Sequence, residues 1–505
     1  MRSESGRGDD TVVIGLCAVV IGVLAAVVSA IGAGRPSLWV DEAATLSAST
    51  RPLRELWSLL GQVDLVHGLY YLLMHGWFAV FPATEFWLRL PSALMVGVAA
   101  AGVVVLGDRL SGRAVGVAAG VVLAVLPRAT GVGADGRSYA LTMACAVWLT
   151  VVFVVAVRRG RWWWAGYGVA LAVSVLVNVL VLLVITAHAA MLFAMAASRR
   201  AVAVWAVTTG VAVTAVAPFV LAVVQQRSQV GWVWPISAVT LGQIFGEQYF
   251  PSVYSSGMRV VGPDQQEFTA EQFGVAVQSW ARVAPVIVVL AGITAVAVLR
   301  RRRVGAPPAR TLLWGGGTWV VAPTVLLVLY SLVADPLYQA QYLSFTAPGL
   351  ALLVGYCVVA AGRTPQRITL LLLIAVAAVP NYIAQRTSYA KFGSDQSEVA
   401  RLLSTQSRSG ECLLVDPDRP PSAVHALEGA RLVYRDGLRD VGAAVAQQDS
   451  LWSERKDVTA RDLRDCATVW IVSETTDNRW PEGFQPVQRW DINQSRVVKA
   501  VRAQS

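Results

Sequence analysis

Charged residues are scarce in this chain of 505 residues. They make up only 15% of the sequence, whereas hydrophobic residues make up 55% and the mean hydropathy is +0.54. A soluble protein of this length needs far more polar surface. The composition therefore excludes a soluble globular protein and indicates a polytopic membrane protein. No small-residue cleavage site follows the first apolar run, residues 12–32, so we expect this run to stay in place as a membrane anchor.

The excess of positive charge does not have the distribution expected of a nucleic-acid-binding protein. The net charge is +10, and the basic residues gather in short loops between apolar runs, which is typical of cytoplasmic loops. Placing these loops inside predicts about eleven transmembrane helices, a cytoplasmic N-terminus and an extracytoplasmic C-terminus. The spans are predicted at residues 12–32, 88–108, 114–127, 139–157, 162–177, 179–197, 202–224, 281–299, 311–333, 343–361 and 368–385.

The same topology predicts four loops on the outer face of the membrane. They cover residues 34–87, 128–138, 225–280 and 334–342. The apolar stretch GLYYLLMHGWFAVFP, residues 68–82, is only 15 residues long, and counting it as a span would invert every later loop. Its Tyr and Trp residues favour an interfacial helix on the outer leaflet.

The tail of the chain changes character after the last predicted span. The segments ECLLVDPD, RLVYRD and TVWIVSE have the pattern of short buried strands, with polar helical stretches between them. We therefore predict a transmembrane domain over residues 1–385, including the first outer loop, and an extracytoplasmic α/β domain over residues 386–505. In this compartment Cys412 and Cys466 can form a disulfide, and two free thiols are the alternative.

Polar side chains gather in three of the predicted outer-face stretches, LWVDEAATLSAS, DLVHGLYY and RATGVGADGRSYAL. Carboxylates, arginines and a histidine on one membrane face are suited to acid–base chemistry on an anionic head group. These stretches contribute Asp41, Glu42, Asp64, His67, Arg128, Asp135, Arg137 and Tyr139.

Each of these residues also has a purely structural interpretation. Asp41 and Glu42 fit the first turn of a helix, where acidic side chains are favourable. Arg137 is also consistent with an arginine that snorkels to the lipid head groups, and Asp135 with its salt-bridge partner. For His67 the alternative is an interfacial hydrogen bond.

Three motifs carry a resemblance to a known family. WVDEAAT after the first span, HGLYYLLMHGWFAVFP with FWLRLPSAL, and then ADGRSYAL resemble the GT-C superfamily of polyprenyl-phosphate-sugar glycosyltransferases. The pattern is most similar to the protein O-mannosyltransferase-like and aminoarabinose-transferase-like branches. The resemblance covers residues 10–200 and extends more weakly to SFTAPGLALLVG. It implies a GT-C-like transmembrane catalytic domain.

The resemblance implies a single displacement, with inversion, in which a sugar leaves a polyprenyl phosphate outside the membrane. The acidic residue of the family's first outer loop, its general base, corresponds to Asp41. Beside it, Glu42 is expected as an orienting or capping partner and Asp135 as a second acid or a metal ligand. An acceptor hydroxyl needs such a base, whereas a lipid phosphate leaves without a general acid if cations stabilise it. No cofactor is required, although a divalent cation, Mg²⁺ or Mn²⁺, would find oxygen ligands in the same three carboxylates.

The resemblance also implies a set of substrate-binding residues. Arg137 is expected to hold the donor phosphate, with Arg89 and Arg128 as further cations, and His67 and Tyr139 complete the outer-face set. Relatives often have HPPLYY where this chain has VHGLYY. They also often have Arg-Tyr ahead of the tenth span, where this chain has Gln341 and Tyr342, so another cation or another donor geometry is expected here.

The Ala-, Val- and Arg-rich composition is typical of a high-GC actinobacterium, in which decaprenyl phosphate carries mannose or arabinose. Mannose is favoured over arabinose because the motifs are closer to the mannosyltransferase-like branch. The expected partners are the lipid-linked sugar, a glycan, lipoglycan or protein acceptor of the cell envelope, and membrane lipids, but no nucleic acid. The alternatives of another class are a lipid-sugar flippase or transporter and a non-catalytic lipid-sugar-binding scaffold. The near absence of charge inside the spans argues against transport.

Overall fold

The computed structural model describes residues 4–251, 270–304, 309–444, 449–475 and 479–503. Residues 252–269 of the predicted outer loop 225–280 lie outside these ranges. The α-helices in the described ranges are α1 (Glu4–Ala30), α2 (Val40–Ser49), α3 (Leu53–Leu60), α4 (Gly68–Phe78), α5 (Glu85–Ser111), α6 (Arg113–Val125), α7 (Pro127–Gly133), α8 (Tyr139–Arg159), α9 (Trp162–Val177), α10 (Ile185–Ala194), α11 (Arg199–Gln225), α12 (Ala238–Gly242), α13 (Ala270–Val304), α14 (Arg310–Val333), α15 (Ala347–Ala361), α16 (Thr364–Ala384), α17 (Gln396–Gln406) and α18 (Pro421–Tyr434). The strands there are β1 (Cys412–Val415), β2 (Arg439–Asp440), β3 (Thr468–Glu474), β4 (Phe484–Asp491) and β5 (Ser495–Arg502).

The membrane-spanning helices follow the predicted spans. In the described part of the chain, 8 helices are long and apolar enough to cross a membrane, and the bent pair of α6 and α7 would make a ninth. The bend of 58° falls at Pro127, which cannot continue the hydrogen bonding of the preceding helix. Two shorter apolar helices, Trp162–Val177 and Val179–Ala194, occupy the remaining predicted positions. The predicted polytopic helical fold is confirmed.

Close helix contacts at glycines hold the spans together. A Cβ at Gly355 of α15 would lie 2.6 Å from the backbone nitrogen of Ala119 in α6, so only a glycine fits there. Gly97 of α5 packs in the same way against Gly22 of α1. Lipid tails give helices no hydrophobic reason to associate, so van der Waals contact between closely approaching backbones is what stabilises such a bundle.

The chain divides into two compact units. The transmembrane unit comprises the described residues of Met1–Ala33, Arg89–Tyr254 and Gln265–Ala384. The second unit, here called the sheet unit, comprises those of Gly34–Leu88 and Gln385–Ser505. This division differs from the predicted one, which assigned the whole first outer loop to the transmembrane domain. The physical reason is that α2, in that loop, packs against α18 of the C-terminal region.

The sheet unit contains a five-stranded sheet in the order β2-β1-β3-β5-β4. β1 pairs in parallel with β2 and β3, whereas β5 pairs in antiparallel with β3 and β4. The α/β character predicted for the tail is thus present, and two predicted strands correspond to β1 and β3. The third was wrong, because RLVYRD begins inside α18 and a short apolar run fits a buried helix as well as a strand. Cys412 and Cys466 form a disulfide in this unit.

The helix predicted over residues 68–82 is shorter than expected. α4 covers Gly68–Phe78 and has 11 residues, and thus a length of about 16 Å at 1.5 Å per residue. A hydrocarbon core of ~30 Å is out of reach for such a helix. α4 belongs to the sheet unit, where it packs against α2.

Candidate functional site

Asp41 and Glu42 lie in the first turn of α2. The helix begins directly after Trp39, which has an extended backbone, and its two acidic residues face the positive end of the helix dipole. Glu42 is fully buried, whereas Asp41 is only half-buried. The predicted helix start is therefore present, and of the two carboxylates Asp41 is the one that a substrate can reach.

Contacts within the sheet unit fix the position of α2. The Ser47 hydroxyl donates to the carbonyl of Leu451 at 2.5 Å, and Arg51 donates to the carbonyl of Ser450 at 2.6 Å. Nearer the start of the helix, Gly429 of α18 lies so close to Ala43 that a Cβ at residue 429 would overlap its side chain. α2 is thus built into the C-terminal region, although about 400 residues of chain separate the partners.

His67 and Asp64 lie next to the start of α4. Asp64 has a left-handed backbone with φ 57° and accepts a hydrogen bond from the Tyr71 hydroxyl at 2.6 Å. The ring of His67 lies 5.9 Å from that of Tyr71. Asp64 therefore stabilises the turn into α4, and His67 is half-buried beside it.

Arg128, in α7, is buried and bonded to main-chain carbonyls. Its guanidinium donates to the carbonyl of Gln248 at 2.7 Å and to that of Glu247, and its own backbone N–H donates to the carbonyl of Tyr249 at 2.9 Å. These contacts tie the segment at residues 247–249 to α7. The guanidinium of Arg128 thus has a structural role that the sequence did not indicate.

A buried polar cluster continues from this segment and was missed by the sequence analysis. The Gln248 side chain donates to the Thr324 hydroxyl at 3.0 Å and accepts from the Tyr338 hydroxyl at 3.1 Å. Burial raises the pKa of the Glu247 carboxyl, and the positive charge of Arg128 opposes that shift. The sequence did contain a signal for this cluster, the adjacent polar residues Glu247 and Gln248 in GEQYF. Glu and Gln are seldom buried without partners.

Asp135, Arg137 and Tyr139 surround the entry to α8. All three are buried, and the Arg137 carbonyl accepts a hydrogen bond from Ser92 at 3.3 Å. The Asp135 carboxylate lies near enough to Arg128 for their charges to interact. The transmembrane unit therefore contains Asp135 and Arg137 between α7 and α8, and Arg128 in α7 within reach of the Asp135 charge.

Tyr139 also approaches the predicted Gln341–Tyr342 position. The rings of Tyr139 and Tyr342 lie 6.3 Å apart, and both Gln341 and Tyr342 belong to the 3₁₀ helix Ala340–Thr346.

Arg89, which is fully buried, donates to the carbonyl of Ala33 at 2.7 Å and so ties α5 to the residues that follow α1.

The predicted site residues are thus divided between the units. Those of the sheet unit are Asp41, Glu42 and His67, and those of the transmembrane unit are Arg89, Arg128, Asp135, Arg137, Tyr139, Gln341 and Tyr342. Across the described ranges, no group of three or more His, Cys, Asp or Glu side chains could hold a metal ion. The divalent cation stays a prediction from the sequence.

Known proteins provide a family and a fold for comparison. Residues 69–224 match the family model described as dolichyl-phosphate-mannose-protein mannosyltransferase. No curated protein sequence matches the chain. The structure is similar to that of ArnT from Cupriavidus metallidurans bound to undecaprenyl phosphate, with a TM-score of 0.53 at 13% identity over 95% of this chain and 97% of that chain. The oligosaccharyltransferase of Archaeoglobus fulgidus in its apo form is similar with a TM-score of 0.50 at 13% identity, over 90% of this chain and 69% of that chain.

The shared fold and the family model, which covers residues 69–224 only, make this chain similar to glycosyltransferases of the GT-C superfamily, and its long apolar helices are those of a multi-pass membrane protein. The resemblance seen in the three sequence motifs is confirmed. At 13% identity the two solved structures carry the fold alone.

Proposed function

We propose that the protein transfers a sugar from a polyprenyl-phosphate donor to a hydroxyl group of a cell-envelope acceptor on the outer face of the cytoplasmic membrane. Asp41 acts as the general base, and the anomeric configuration is inverted. The observation that carries this proposal is the half-buried Asp41 in the first turn of a helix held near both of its ends, in a chain with the GT-C fold.

The chemistry needs one base and one stabilised leaving group. The Asp41 carboxylate accepts the proton of the acceptor hydroxyl while the acceptor oxygen bonds to the anomeric carbon. The bond between that carbon and the phosphate oxygen breaks, and its electron pair stays on the polyprenyl phosphate. Because Asp41 is held on a fixed helix, little reorganisation is needed to reach the reacting geometry.

Arg137 is proposed to hold the donor phosphate, with Tyr139, Gln341 and Tyr342 beside it. A guanidinium can donate two parallel hydrogen bonds to a phosphate, which a lysine cannot reproduce. Arg128 and Arg89 are given a supporting role, because both guanidinium groups donate to main-chain carbonyls. Undecaprenyl phosphate bound to ArnT, a protein of the same fold, supports a lipid phosphate as the leaving group here.

The outer face of the membrane is supported by the disulfide between Cys412 and Cys466. Disulfides form and persist in oxidising compartments and are rare in the cytosol. The proposed topology therefore has a cytoplasmic N-terminus and an extracytoplasmic C-terminal region.

Mannose is the proposed sugar and decaprenyl phosphate the proposed carrier. The match of residues 69–224 to the dolichyl-phosphate-mannose-protein mannosyltransferase family model supports mannose. Arabinose, carried on the same lipid, is the alternative. The acceptor is proposed to be a glycan, lipoglycan or protein of the envelope, and a metal is not needed for the steps above.

The test is transfer from radiolabelled decaprenyl-phosphate mannose or arabinose by the purified protein in nanodiscs, with an envelope extract as acceptor. Asp41→Asn should lower kcat by ~10²–10⁴, the usual contribution of a general base. Asp449→Asn is a matched control, because this exposed carboxylate of the same unit accepts a hydrogen bond from Ser58 that an amide oxygen can also accept. Near-wild-type transfer by Asp41→Asn would refute the assignment of the base and direct attention to Asp135.

A further inference from the structure

A cleft of about 550 Å³ opens on the surface of the sheet unit, between α17 and the end of β4. Its volume lies within the range of ~300–1,000 Å³ that is usual for ligand pockets. The α17 wall carries Glu398, Arg401 and Thr405. None of the predicted catalytic or donor-binding residues lines this cleft, so the proposed transfer reaction does not account for it.

The opposite wall of the cleft carries a tryptophan with a fixed orientation. Trp490 of β4 stacks on Trp470 of β3 with ring centroids 5.6 Å apart and 20° between the planes. Trp470 is fully buried, and its indole N–H donates to Glu411 at 2.7 Å. Trp490 itself is only half-buried and lines the cleft. A flat apolar surface with a fixed orientation is therefore available to a ligand.

Hydroxyl and carboxylate groups surround this aromatic surface. The Tyr389 hydroxyl donates to Glu398 at 2.6 Å, and this bond together with burial raises the pKa of Tyr389 to about 12. Tyr389 therefore stays a neutral hydroxyl at physiological pH. Hydrogen bonds from Arg489 and Arg496 lower the pKa of Asp491 to about 2, so this wall residue stays charged.

The charges of the cleft are paired with opposite charges. Glu398 lies 3.7 Å from Arg401, and Asp491 lies 2.6 Å from Arg496 and 2.7 Å from Arg489. The charged side chains that line the cleft itself are two carboxylates, Glu398 and Asp491, and one arginine, Arg401, so the lining has no surplus of positive charge to hold a phosphate. Paired charges and hydroxyl groups do offer alternating hydrogen-bond donors and acceptors.

An aromatic platform with alternating donors and acceptors matches one chemical class of ligand, a neutral oligosaccharide. The ring of a sugar has one face of C–H groups, which packs on an indole, and an edge of hydroxyl groups, which donate and accept hydrogen bonds. We propose that this cleft binds a neutral oligosaccharide segment of the acceptor glycan. That this oligosaccharide belongs to the acceptor rests on the proposed function, whereas the binding of an oligosaccharide to the cleft does not.

The experiment measures binding without turnover. The full-length protein in nanodiscs is titrated with fluorescently labelled mannohexaose and, separately, with arabinohexaose, in the absence of any lipid-linked donor. Wild type should bind at least one of them, and Trp490→Ala should weaken that binding about tenfold, which corresponds to ~1.4 kcal/mol. Trp480→Ala is the matched control, because Trp480 is a 45% exposed tryptophan of the same unit that does not line the cleft.

A second variant covers the case in which Trp490→Ala disturbs the sheet. Thr405→Trp fills the cleft from the exposed surface of α17 and leaves the stack of Trp490 on Trp470 in place. It should abolish binding while the melting temperature stays that of wild type. Absence of binding to both oligosaccharides in wild type, or binding that neither variant weakens, would overturn the proposal.

The outcome is independent of the proposed function. Asp41→Asn, expected to lose transfer, should bind the labelled oligosaccharide as wild type does. Loss of transfer in Asp41→Asn together with no oligosaccharide binding in wild type would leave the proposed reaction standing and remove the cleft from it. Oligosaccharide binding by wild type together with normal transfer by Asp41→Asn would refute Asp41 as the general base and leave the cleft as an oligosaccharide site.

Discussion

The contact between Gly429 and Ala43 provides a direct test of whether the C-terminal region positions α2. A Cβ added at Gly429 would lie 2.7 Å from the Cα of Ala43 and closer still to its side chain. An ordinary contact between carbon atoms is about 3.7 Å, so Gly429→Ala must move α2 away from α18 by about 1 Å. Overpacking of this kind costs ~1–3 kcal/mol of stability.

The displacement should affect transfer because Asp41 lies in the same helix, two positions before Ala43. A misplacement of ~1 Å in a catalytic group can cost about 10²-fold in rate. We therefore expect Gly429→Ala to lower kcat for sugar transfer by roughly 10- to 100-fold. The KM for the lipid-linked donor should change little, because the proposed donor residues Arg137 and Tyr139 belong to the other unit.

A double-mutant cycle separates displacement from general damage. Ala43→Gly removes the methyl group that Gly429→Ala would meet at 2.3 Å but keeps the Cα at 2.7 Å, so the double variant should regain part of the lost kcat, although Ala43→Gly itself costs ~1 kcal/mol of helix stability. Gly76→Ala is the matched control, since Gly76 lies in α4 of the same unit with nothing within 4 Å of an added Cβ. A double variant no more active than expected from the two single changes would refute the reasoning, and so would full activity of Gly429→Ala.

Three further predictions concern stability. Replacing Cys412 and Cys466 together by serine opens a loop of 54 residues and should destabilise the sheet unit by about 4 kcal/mol, measured as a lower melting temperature that reducing agent no longer changes. Burial, with the charge of Arg455, lowers the pKa of His425 to about 4. Because an unfolded histidine binds a proton near pH 6.5, stability should fall as pH drops from 6.5 to 4, and His425→Gln should flatten that slope in thermal unfolding. Arg128→Lys keeps the charge but not the fork of two main-chain hydrogen bonds, so it should lower the melting temperature; an unchanged value would contradict the structural role of this guanidinium.

The sequence predicted the features that depend on local pattern. The apolar runs correspond to the eight long helices, the bent pair and the two shorter helices of the described ranges, because the length of an apolar run directly reflects the thickness of the membrane. The start of α2 at VDEAAT was predicted for a similarly local reason, the preference of acidic side chains for a first helical turn.

The features that were not predicted depend on contacts between distant parts of the chain. Nothing in LSAS indicates that Ser47 bonds to Leu451, and nothing around Gly429 indicates that it lies against Ala43. Arg128 shows the same limit. Its charge in a predicted outer-face loop was evident, but its partners are main-chain carbonyls about 120 residues away, which no side-chain pattern encodes.

Close contacts at glycines and hydrogen bonds position the candidate residues in both units. In the transmembrane unit the backbones approach closely at glycines such as Gly355, and the guanidinium groups of Arg89 and Arg128 donate to main-chain carbonyls. In the sheet unit α2 is held by buried side chains such as Leu46, by hydrogen bonds and by its contact with α18. Distance along the chain is therefore a poor guide to the effect of a substitution on Asp41. Gly15 of α1 precedes Asp41 closely, but an added Cβ there meets nothing within 4 Å, whereas Gly429, almost 400 residues away, is in direct contact with the helix that carries Asp41.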